Sequence, residues 1–253
     1  MKTSSKLVVA GIALLLAALF AYNYLLKQEY LTGSYRVPYK DYVALKFSGF
    51  DAVDVMSSTT SNVKFVQGPY SVKIDADALS YTTVKQNGNR LVIASNFEGE
   101  YRYNQNDYLL IISAPKLIEV NTSATYKKNK GAQTITDTIV LEDWHMRQVL
   151  IEGFNEDSIN VKQNYGSTVV FSNNKIHILN AIVGASDSSG SKLIIQKNNR
   201  FDQARINVLN RSTFSLDGKA VQNLKYTLAD SAKITFTGSS QNLINNSKNT
   251  LQK

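Results

Sequence analysis

Apolar residues recur at every second position in four short stretches of the C-terminal half of the chain. These heptads are YGSTVVF (165–171), SGSKLII (189–195), NRSTFSL (210–216) and DSAKITF (230–236). Alternation with a period of two is typical of a half-buried β-strand, because successive side chains point to opposite faces. Each heptad has a serine at its second or third position. These serines, at intervals of 24, 21 and 19 residues, are Ser167, Ser191, Ser212 and Ser231.

Another short alternating strand precedes each heptad. These strands are SINV (158–161), KIHI (175–178), ARINV (204–208) and LKYTL (224–228). A unit of roughly 20 residues with two or three short strands has the size of one β-solenoid coil. Such a coil cannot bury its apolar face alone, so the next coil must cover it with the same pattern.

We therefore predict a β-solenoid with small serines at its corners and one column of stacked apolar residues inside. The stacked residues are Val169, Phe171, Leu193, Ile195, Phe214, Leu216, Ile234 and Phe236. Lys233 and Thr235 are expected to point outward. The alternative is an antiparallel sandwich, which also has many short strands and is favoured by the unequal intervals between the serines.

Strand patterns also fill the chain before these units. AVDV (52–55), NVKFV (62–66) and YSVKI (70–74) alternate apolar with polar residues. Asn87-Gly88 before a strand predicts a hairpin, because both residues tolerate the backbone of a tight turn. Two strands in 107–123 are expected to be separated at Pro115, which lacks a backbone N–H. The segment 136–153 favours two strands around a turn over one helix.

The N-terminus carries an apolar run, LVVAGIALLLAALFAYNYLL (7–26). At 1.5 Å per residue, 20 residues reach about 30 Å, which is the thickness of the hydrocarbon core of a bilayer. Lys2 and Lys6 before the run favour a cytoplasmic N-terminus and an exported remainder. A cleaved signal peptide is the alternative, but small residues do not fall at suitable cleavage positions. The residues predicted to contact lipid include Leu7, Ile12, Leu15, Leu19, Phe20 and Leu26.

The chain thus divides into an N-terminal membrane anchor (1–26), a linker (27–43), a β domain (44–240) and a polar tail (241–253). Without Lys2 and Lys6, the exported part has 26 basic and 20 acidic residues, since the whole chain has 28 and 20. A net positive charge favours anionic polymers. One basic cluster, YKKNK (126–130), is a candidate contact site through Lys127, Lys128 and Lys130. No aromatic-basic motif accompanies it, so nucleic acid is not an expected partner.

Catalytic chemistry has few candidate residues. The chain has no cysteine, which excludes disulfides and thiolate nucleophiles. His177 is expected on a solvent-facing strand position, and EDWH (142–145) is interpreted as structural. The acidic pairs in DADA (75–78) and NEDS (155–158) fit turns better than a calcium or glycosidase site. We therefore predict no enzyme, no cofactor and no metal, with a polysaccharide lyase or hydrolase on a β-helix as the alternative.

The first strands also resemble a known family, the GIN domain of auto-transporter adhesin heads in bacterial envelopes. The resemblance is carried by FDAVDV (50–55), VKFVQG (63–68), YSVKI (70–74), NGNRLVI (87–93) and IISAPKLIEVNTSA (111–124). The chain departs from the family pattern after Pro-x-Leu, where Asn and Thr replace a frequent glycine.

The GIN resemblance covers about residues 44–240 and implies a single-stranded right-handed β-helix on an exported, membrane-tethered envelope protein. It carries no catalytic residues. The expected function is adhesion, binding or scaffolding at the bacterial cell envelope, in the periplasm or on the cell surface. The expected partners are the membrane, through the N-terminal helix, and envelope glycans or other envelope polymers. Self-association through the solenoid ends is a further possibility that the architecture offers.

Overall fold

The computed structural model describes residues 3–33, 39, 42–99, 108–140 and 147–241. The chain divides into two compact units, residues 1–42 and 43–253. The first unit contains helix α1 (Thr3–Thr32), which is 30 residues long and has no buried residue. It is long and apolar enough to cross a membrane, a property that it shares with secretory signal sequences.

The anchor residues predicted between Leu7 and Leu26 all lie on α1, and their side chains are exposed. The helix continues six residues beyond the predicted anchor, because nothing in KQEYLT (27–32) stops it. The predicted linker therefore begins as helix. Gly33, with a φ of 66°, follows the helix in the left-handed conformation that commonly ends helices.

The second unit is built of β-strands. Among the described residues they are β1 (Tyr42–Leu45), β2 (Ala52–Val55), β3 (Val63–Gln67), β4 (Ser71–Asp75), β5 (Thr82–Asn87), β6 (Arg90–Ser95), β7 (Leu110–Ala114), β8 (Glu119–Thr122), β9 (Thr125–Lys128), β10 (Gln133–Thr136), β11 (Val149–Glu152), β12 (Asn155–Gln163), β13 (Thr168–Ser172), β14 (Lys175–Val183), β15 (Lys192–Ile195), β16 (Arg200–Val208), β17 (Thr213–Asp217), β18 (Val221–Leu228) and β19 (Lys233–Thr237). Pro115 lies between β7 and β8, as the sequence predicted.

Two large sheets contain most of these strands. Sheet A has the order β1-β4-β7-β3-β11-β13-β15-β17-β19, and sheet B has the order β18-β16-β14-β12-β8-β2-β6-β5. Strands β9 and β10 form a separate hairpin. Among the described strands, three pairs are antiparallel, β4–β7, β5–β6 and β9–β10, and the twelve other pairs apart from β1–β4 are parallel. This parallel pairing contradicts an ordinary antiparallel sandwich.

From β11 onward the chain alternates between the two sheets, and each new strand pairs in parallel with the equivalent strand one unit earlier. The four heptads supply β13, β15, β17 and β19. Val169 pairs with Leu193, which pairs with Phe214, which pairs with Ile234. The predicted stacking of the apolar column is therefore confirmed. The stack is fully buried in its first three units and half-buried in the last.

The corners of these units hold ladders of polar side chains. Ser167, Ser191 and Ser212 are buried at equivalent positions, and the Oγ of Ser212 accepts a hydrogen bond from the N–H of Ser191 at 3.1 Å. The prediction for the fourth serine is wrong. The register aligns Ser212 with Ala232, and Ser231 is exposed one position earlier. The serine pattern pointed to the wrong residue because Ser231 and Ala232 are adjacent and both small enough for a corner.

A second ladder joins Asn174 and Asn199. Both are buried, and the Nδ2 group of Asn174 donates to the carbonyl oxygens of Ile151 and Ser172 at 2.8 and 3.0 Å. Its Oδ1 accepts from the N–H of Phe154 at 2.9 Å. These bonds satisfy backbone groups where the chain turns from sheet A to sheet B, groups that would be costly to bury without partners.

The N-terminal part of the second unit is less regular. Strands β5 and β6 form the predicted hairpin at Asn87-Gly88, and Gly88 has a φ of 60°. A positive φ is disfavoured for a side chain with a Cβ atom, which explains glycine here. Strands β4 and β5 pair in antiparallel fashion with strands of different sheets, so they interrupt the regular addition of parallel strands at this end.

Candidate polymer-binding groove

The outward face of sheet B carries an open groove of about 490 Å³. Most of the accessible surface that lines it is apolar, and amide and basic side chains supply most of the polar groups. The lining residues are Glu119, Asn121, Asn160, Val161, Lys162, Asn180, Ala181, Ile182, Arg205, Ile206, Asn207, Lys225, Tyr226 and Thr227. They come from β8, β12, β14, β16 and β18, so the groove crosses five parallel strands.

The alternation of strand residues decides which side chains line the groove. On β14, Ala181 is buried inside, while Asn180 and Ile182 on either side of it point outward. Parallel pairing in register then aligns equivalent residues of successive strands into rows. The first row is Glu119, Asn160, Asn180, Arg205 and Lys225, and the second row is Asn121, Lys162, Ile182, Asn207 and Thr227. Neighbouring strands are about 4.8 Å apart, which sets the spacing along each row.

Hydrogen bonds inside the rows leave specific polar atoms available. The Nδ2 group of Asn180 donates to Oδ1 of Asn160 at 3.0 Å. In the second row, Oγ1 of Thr227 donates to Oδ1 of Asn207 at 2.6 Å. Within the described part of the chain, Oδ1 of Asn180 and Nδ2 of Asn207 make no hydrogen bond. The middle of the groove thus presents one acceptor and one donor for a ligand hydroxyl.

Three basic residues lie on three strands of the groove, β12, β16 and β18. Lys162, Arg205 and Lys225 are exposed, and no carboxylate of the described residues pairs with any of them. Only one acidic residue, Glu119, belongs to the lining. Three cations against one carboxylate make the local field positive, which attracts anionic ligands over a Debye length of about 10 Å at 0.1 M salt.

The acidic side of the groove is neutralised by Arg90. Its guanidinium contacts Oδ1 of Asp54 at 2.5 Å and Oε2 of Glu119 at 2.8 Å. The Nδ2 group of Asn121 donates to both carboxylates, at 2.9 and 2.8 Å. The hydrogen bond from Arg90 lowers the pKa of Glu119 against the opposing effect of burial, and Asn121 lowers it further. Glu119 is therefore held ionised, which is unsuited to a general acid.

An apolar residue lies in the second row between Lys162 and Asn207. Ile182 has 40% of its surface exposed, although it sits in the middle of a sheet face. An exposed aliphatic side chain surrounded by amides and cations offers a small apolar contact surface. Such a surface can contact the C–H face of a sugar ring while the flanking groups bind its hydroxyls.

The predicted basic cluster lies outside this groove. Lys127 and Lys128 end β9, and Lys130 lies in the short 3-10 helix that follows (Asn129–Gly131). The structure brings these lysines together on one hairpin, with Lys127 and Lys130 exposed and Lys128 half-buried. Lys130 lies 3.8 Å from Glu98, but both side chains are more than 75% exposed, so the attraction is strongly screened.

The other chemical candidates have structural explanations or lie outside the described residues. His177 is exposed, as predicted, and its Nδ1 lies 2.8 Å from Oδ2 of Asp202, which lowers the pKa of that carboxyl. In the DADA segment, Asp75 is buried and accepts a hydrogen bond from the N–H of Asp77 at 2.9 Å. This bond confirms the predicted turn. NEDS (155–158), predicted as a turn, instead begins β12. EDWH falls in 141–146, outside the described residues.

The sequence reasoning missed the groove, although a signal was present. It aligned the four heptads but not the short strands before them, although it counted those strands as part of each coil. Asn160, Asn180, Arg205 and Lys225 recur at intervals of 20, 25 and 20 residues. Aligning those strands by their buried positions would have placed these four polar residues in one outward row.

Comparisons with known proteins give distant similarities. No family model and no curated protein matches the chain. A crystal structure of a "putative adhesin" from Bacteroides fragilis shares 11% identity at a TM-score of 0.39, covering 79% of this chain and 99% of that one. A "putative adhesin" from Parabacteroides merdae shares 8% at 0.28, with coverage of 78% and 95%. A "putative lipid binding protein" from Parabacteroides distasonis shares 13% at 0.26, with coverage of 78% and 96%.

Proposed function

We propose that the second unit is a single-stranded right-handed β-helix of the GIN type. Its support is the parallel, in-register addition of one strand to each sheet per unit between β11 and β19. Parallel strands joined through a second sheet form coils, and right-handed connections are strongly favoured between parallel strands. The resemblance of residues 50–124 to GIN domains supports the same fold.

The same proposal places this β-helix outside the cytoplasm, held at the membrane by α1. The helix has the length and composition of a membrane-spanning segment; Lys6 lies in its first turns, and Lys2 precedes it in the sequence. Retention of the helix distinguishes this proposal from a cleaved signal sequence. A tether suits a module that works by holding a partner near the membrane.

The proposed function is binding or scaffolding of an envelope polymer, with the groove of sheet B as the contact surface. One observation carries it: ten outward residues in two registered rows form a groove across five strands. A long open groove with repeated polar groups fits an extended chain better than a small molecule, which prefers an enclosed pocket. Many weak contacts then add up along the polymer.

Binding without catalysis is part of the proposal. A glycosidase needs two carboxyl groups at a defined separation across the scissile bond, one of them able to donate a proton. Glu119 is the carboxyl of the groove lining, and its ion pair with Arg90 keeps it ionised. The lysines of the β9–β10 hairpin, Lys127, Lys128 and Lys130, remain a proposed second contact for anionic polymers.

The test uses the absence of cysteine from the chain. Thr227→Cys places a thiol in the groove, and Thr235→Cys places one on the outward face of sheet A. Each full-length variant, in non-ionic detergent, is coupled to a polyethylene glycol maleimide and titrated with purified envelope polysaccharides. We expect coupling at position 227 to abolish binding and coupling at 235 to leave it unchanged. Equal binding by the two coupled proteins would contradict the groove as the contact surface.

A further inference from the structure

The charges of the groove are arranged along its length, and this arrangement restricts the ligand. At the β8 end, Glu119 is paired with Arg90. At the β18 end, Arg205 and Lys225 are adjacent in the first row and have no acidic partner among the described residues. Lys162 is a further cation on β12, next to β8, but the β18 end is where two cations, Arg205 and Lys225, are neighbours in one row. A ligand polymer without charged groups would leave both cations without a specific partner.

We infer that the groove takes an acidic polysaccharide, with a sugar carboxylate bound between Arg205 and Lys225. This inference rests on the proposed function and names its ligand class. Arg205 and Lys225 lie on adjacent strands, about 4.8 Å apart at the backbone, so both side chains can reach one carboxylate. A guanidinium can bind the two oxygens of a carboxylate in parallel, and an ammonium adds a point charge.

The residues beside this pair suit a sugar ring. Ile182 is exposed on β14 and contacts the same groove, where it can cover the C–H face of a ring. Oδ1 of Asn180 and Nδ2 of Asn207 can accept from and donate to ring hydroxyls. An acid group, an apolar face and hydroxyls together describe a uronic acid unit.

A nucleic acid would need different residues. Single strands bind through aromatic side chains on which bases stack. The two outward rows of the groove contain no aromatic residue. Tyr226 belongs to the lining, but it lies on the inward register of β18, is half-buried and has its ring 6.2 Å from that of Phe236. The phosphate charge alone would therefore be bound, without a platform for bases.

The test compares acidic polysaccharides with the same polymers after their carboxyl groups are reduced to alcohols. Polygalacturonate, alginate and hyaluronate are titrated into the full-length chain in non-ionic detergent by calorimetry. We expect each acidic polymer to bind about 10-fold or more tightly than its reduced form, because hydrogen bonds from the two cations to a carboxylate are stronger than those to an alcohol. Raising salt to about 0.5 M is expected to remove most of this preference.

Matched charge variants locate the effect. The double variant Arg205→Gln and Lys225→Gln is expected to lose the preference for the acidic form while still binding the reduced polymer. The control, Lys192→Gln and Lys233→Gln, removes the same charge from the outward face of sheet A and is expected to change affinity less than about twofold.

Each outcome has one meaning. Equal binding of acidic and reduced polymers overturns the acidic ligand and leaves the polymer-binding function standing. Equal loss in the two charge variants also overturns it, because the attraction would then come from net charge. If single-stranded DNA, titrated in the same way, binds more tightly than any acidic polysaccharide, the groove does not select polysaccharides and the inferred ligand class is wrong. Binding of none of the six polymers contradicts the proposed function itself.

Discussion

The second unit contains two regions that use the same kinds of strand differently. The irregular region, residues 43–140, combines parallel and antiparallel pairs, and its strands are four to six residues long. The regular region, residues 147–241, adds one parallel strand to each sheet per unit, and its sheet B strands have eight or nine residues. The groove draws most of its lining from the regular region.

The difference teaches how a sheet becomes a binding surface. Where units repeat in register, outward side chains align into rows that can follow an extended polymer. In the irregular region, the β9–β10 hairpin belongs to neither large sheet, and Arg90 pairs with Asp54 and Glu119, so polar groups there contact each other. The regular region leaves cations and amides available, because its neighbours in each row are seldom opposite in charge.

The largest expected effect comes from the buried stack of the regular region. Phe214 is fully buried, whereas Phe236, one unit later, is half-buried at the last strand of sheet A. Phe214→Ala should cost about 3–5 kcal/mol of unfolding free energy, and Phe236→Ala clearly less. Urea titration of the full-length chain in detergent measures both, with the outward Thr235→Ala as a control below about 0.5 kcal/mol. Equal losses of unfolding free energy for Phe214→Ala and Phe236→Ala would contradict the half-burial of Phe236 in the last unit.

The asparagine ladder comes next. Asn174→Ala removes the acceptor of the Phe154 N–H and the donor to two carbonyls, all buried. We expect a loss of about 2–3 kcal/mol in the same urea titration, because buried backbone groups lose their partners. Asn155→Ala, at an exposed position on β12, is the matched control and should be nearly neutral. A neutral Asn174→Ala would mean that the corner is held by backbone pairing alone.

Substitutions in the serine ladder are expected to change the unfolding free energy less, and they can be made in both directions, by removing a serine or by adding one. Ser212→Ala removes two buried hydrogen bonds, one from the N–H of Ser191 at 3.1 Å and a long one to the carbonyl of Ser189 at 3.4 Å, and should cost about 1 kcal/mol. Ala232 occupies the equivalent corner of the next unit, so Ala232→Ser should be neutral or slightly stabilising. Ser231→Ala should have no measurable effect, because Ser231 is exposed. A larger loss for Ser231→Ala than for Ser212→Ala would restore the register predicted from the sequence.

The smallest effect is the pH dependence of the Arg90 ion pairs. Because the hydrogen bond from Arg90 lowers the pKa of folded Glu119, its stabilisation is present above the unfolded pKa of about 4.3 and is lost as pH falls through the folded pKa. The Glu119 side chain is 37% exposed, so solvent screening limits the contribution to below about 1 kcal/mol. Glu119→Gln should reduce the stability difference between pH 7 and pH 3. An unchanged difference would exclude Glu119 as its source.

The sequence was sufficient for the periodic part of this architecture. Alternation placed Val169, Leu193, Phe214 and Ile234 in one inward column, because residues on the inward face of a strand recur at every second position. It could not choose between Ser231 and Ala232, since both are small enough for a corner. The groove depends on which strands become neighbours, and a polar residue at a strand position carries no sign of its partner in the adjacent strand.

The most direct test of the central claim compares the groove with the β9–β10 hairpin in one titration. Asparagine side-chain amides are recorded by ¹⁵N NMR of the full-length chain in detergent as polygalacturonate is added. We predict that Asn160, Asn180 and Asn207 in the groove shift at lower polymer concentration than Asn129, which lies beside Lys130 on the hairpin. Shifts confined to Asn129 would contradict the groove and assign binding to the lysine cluster.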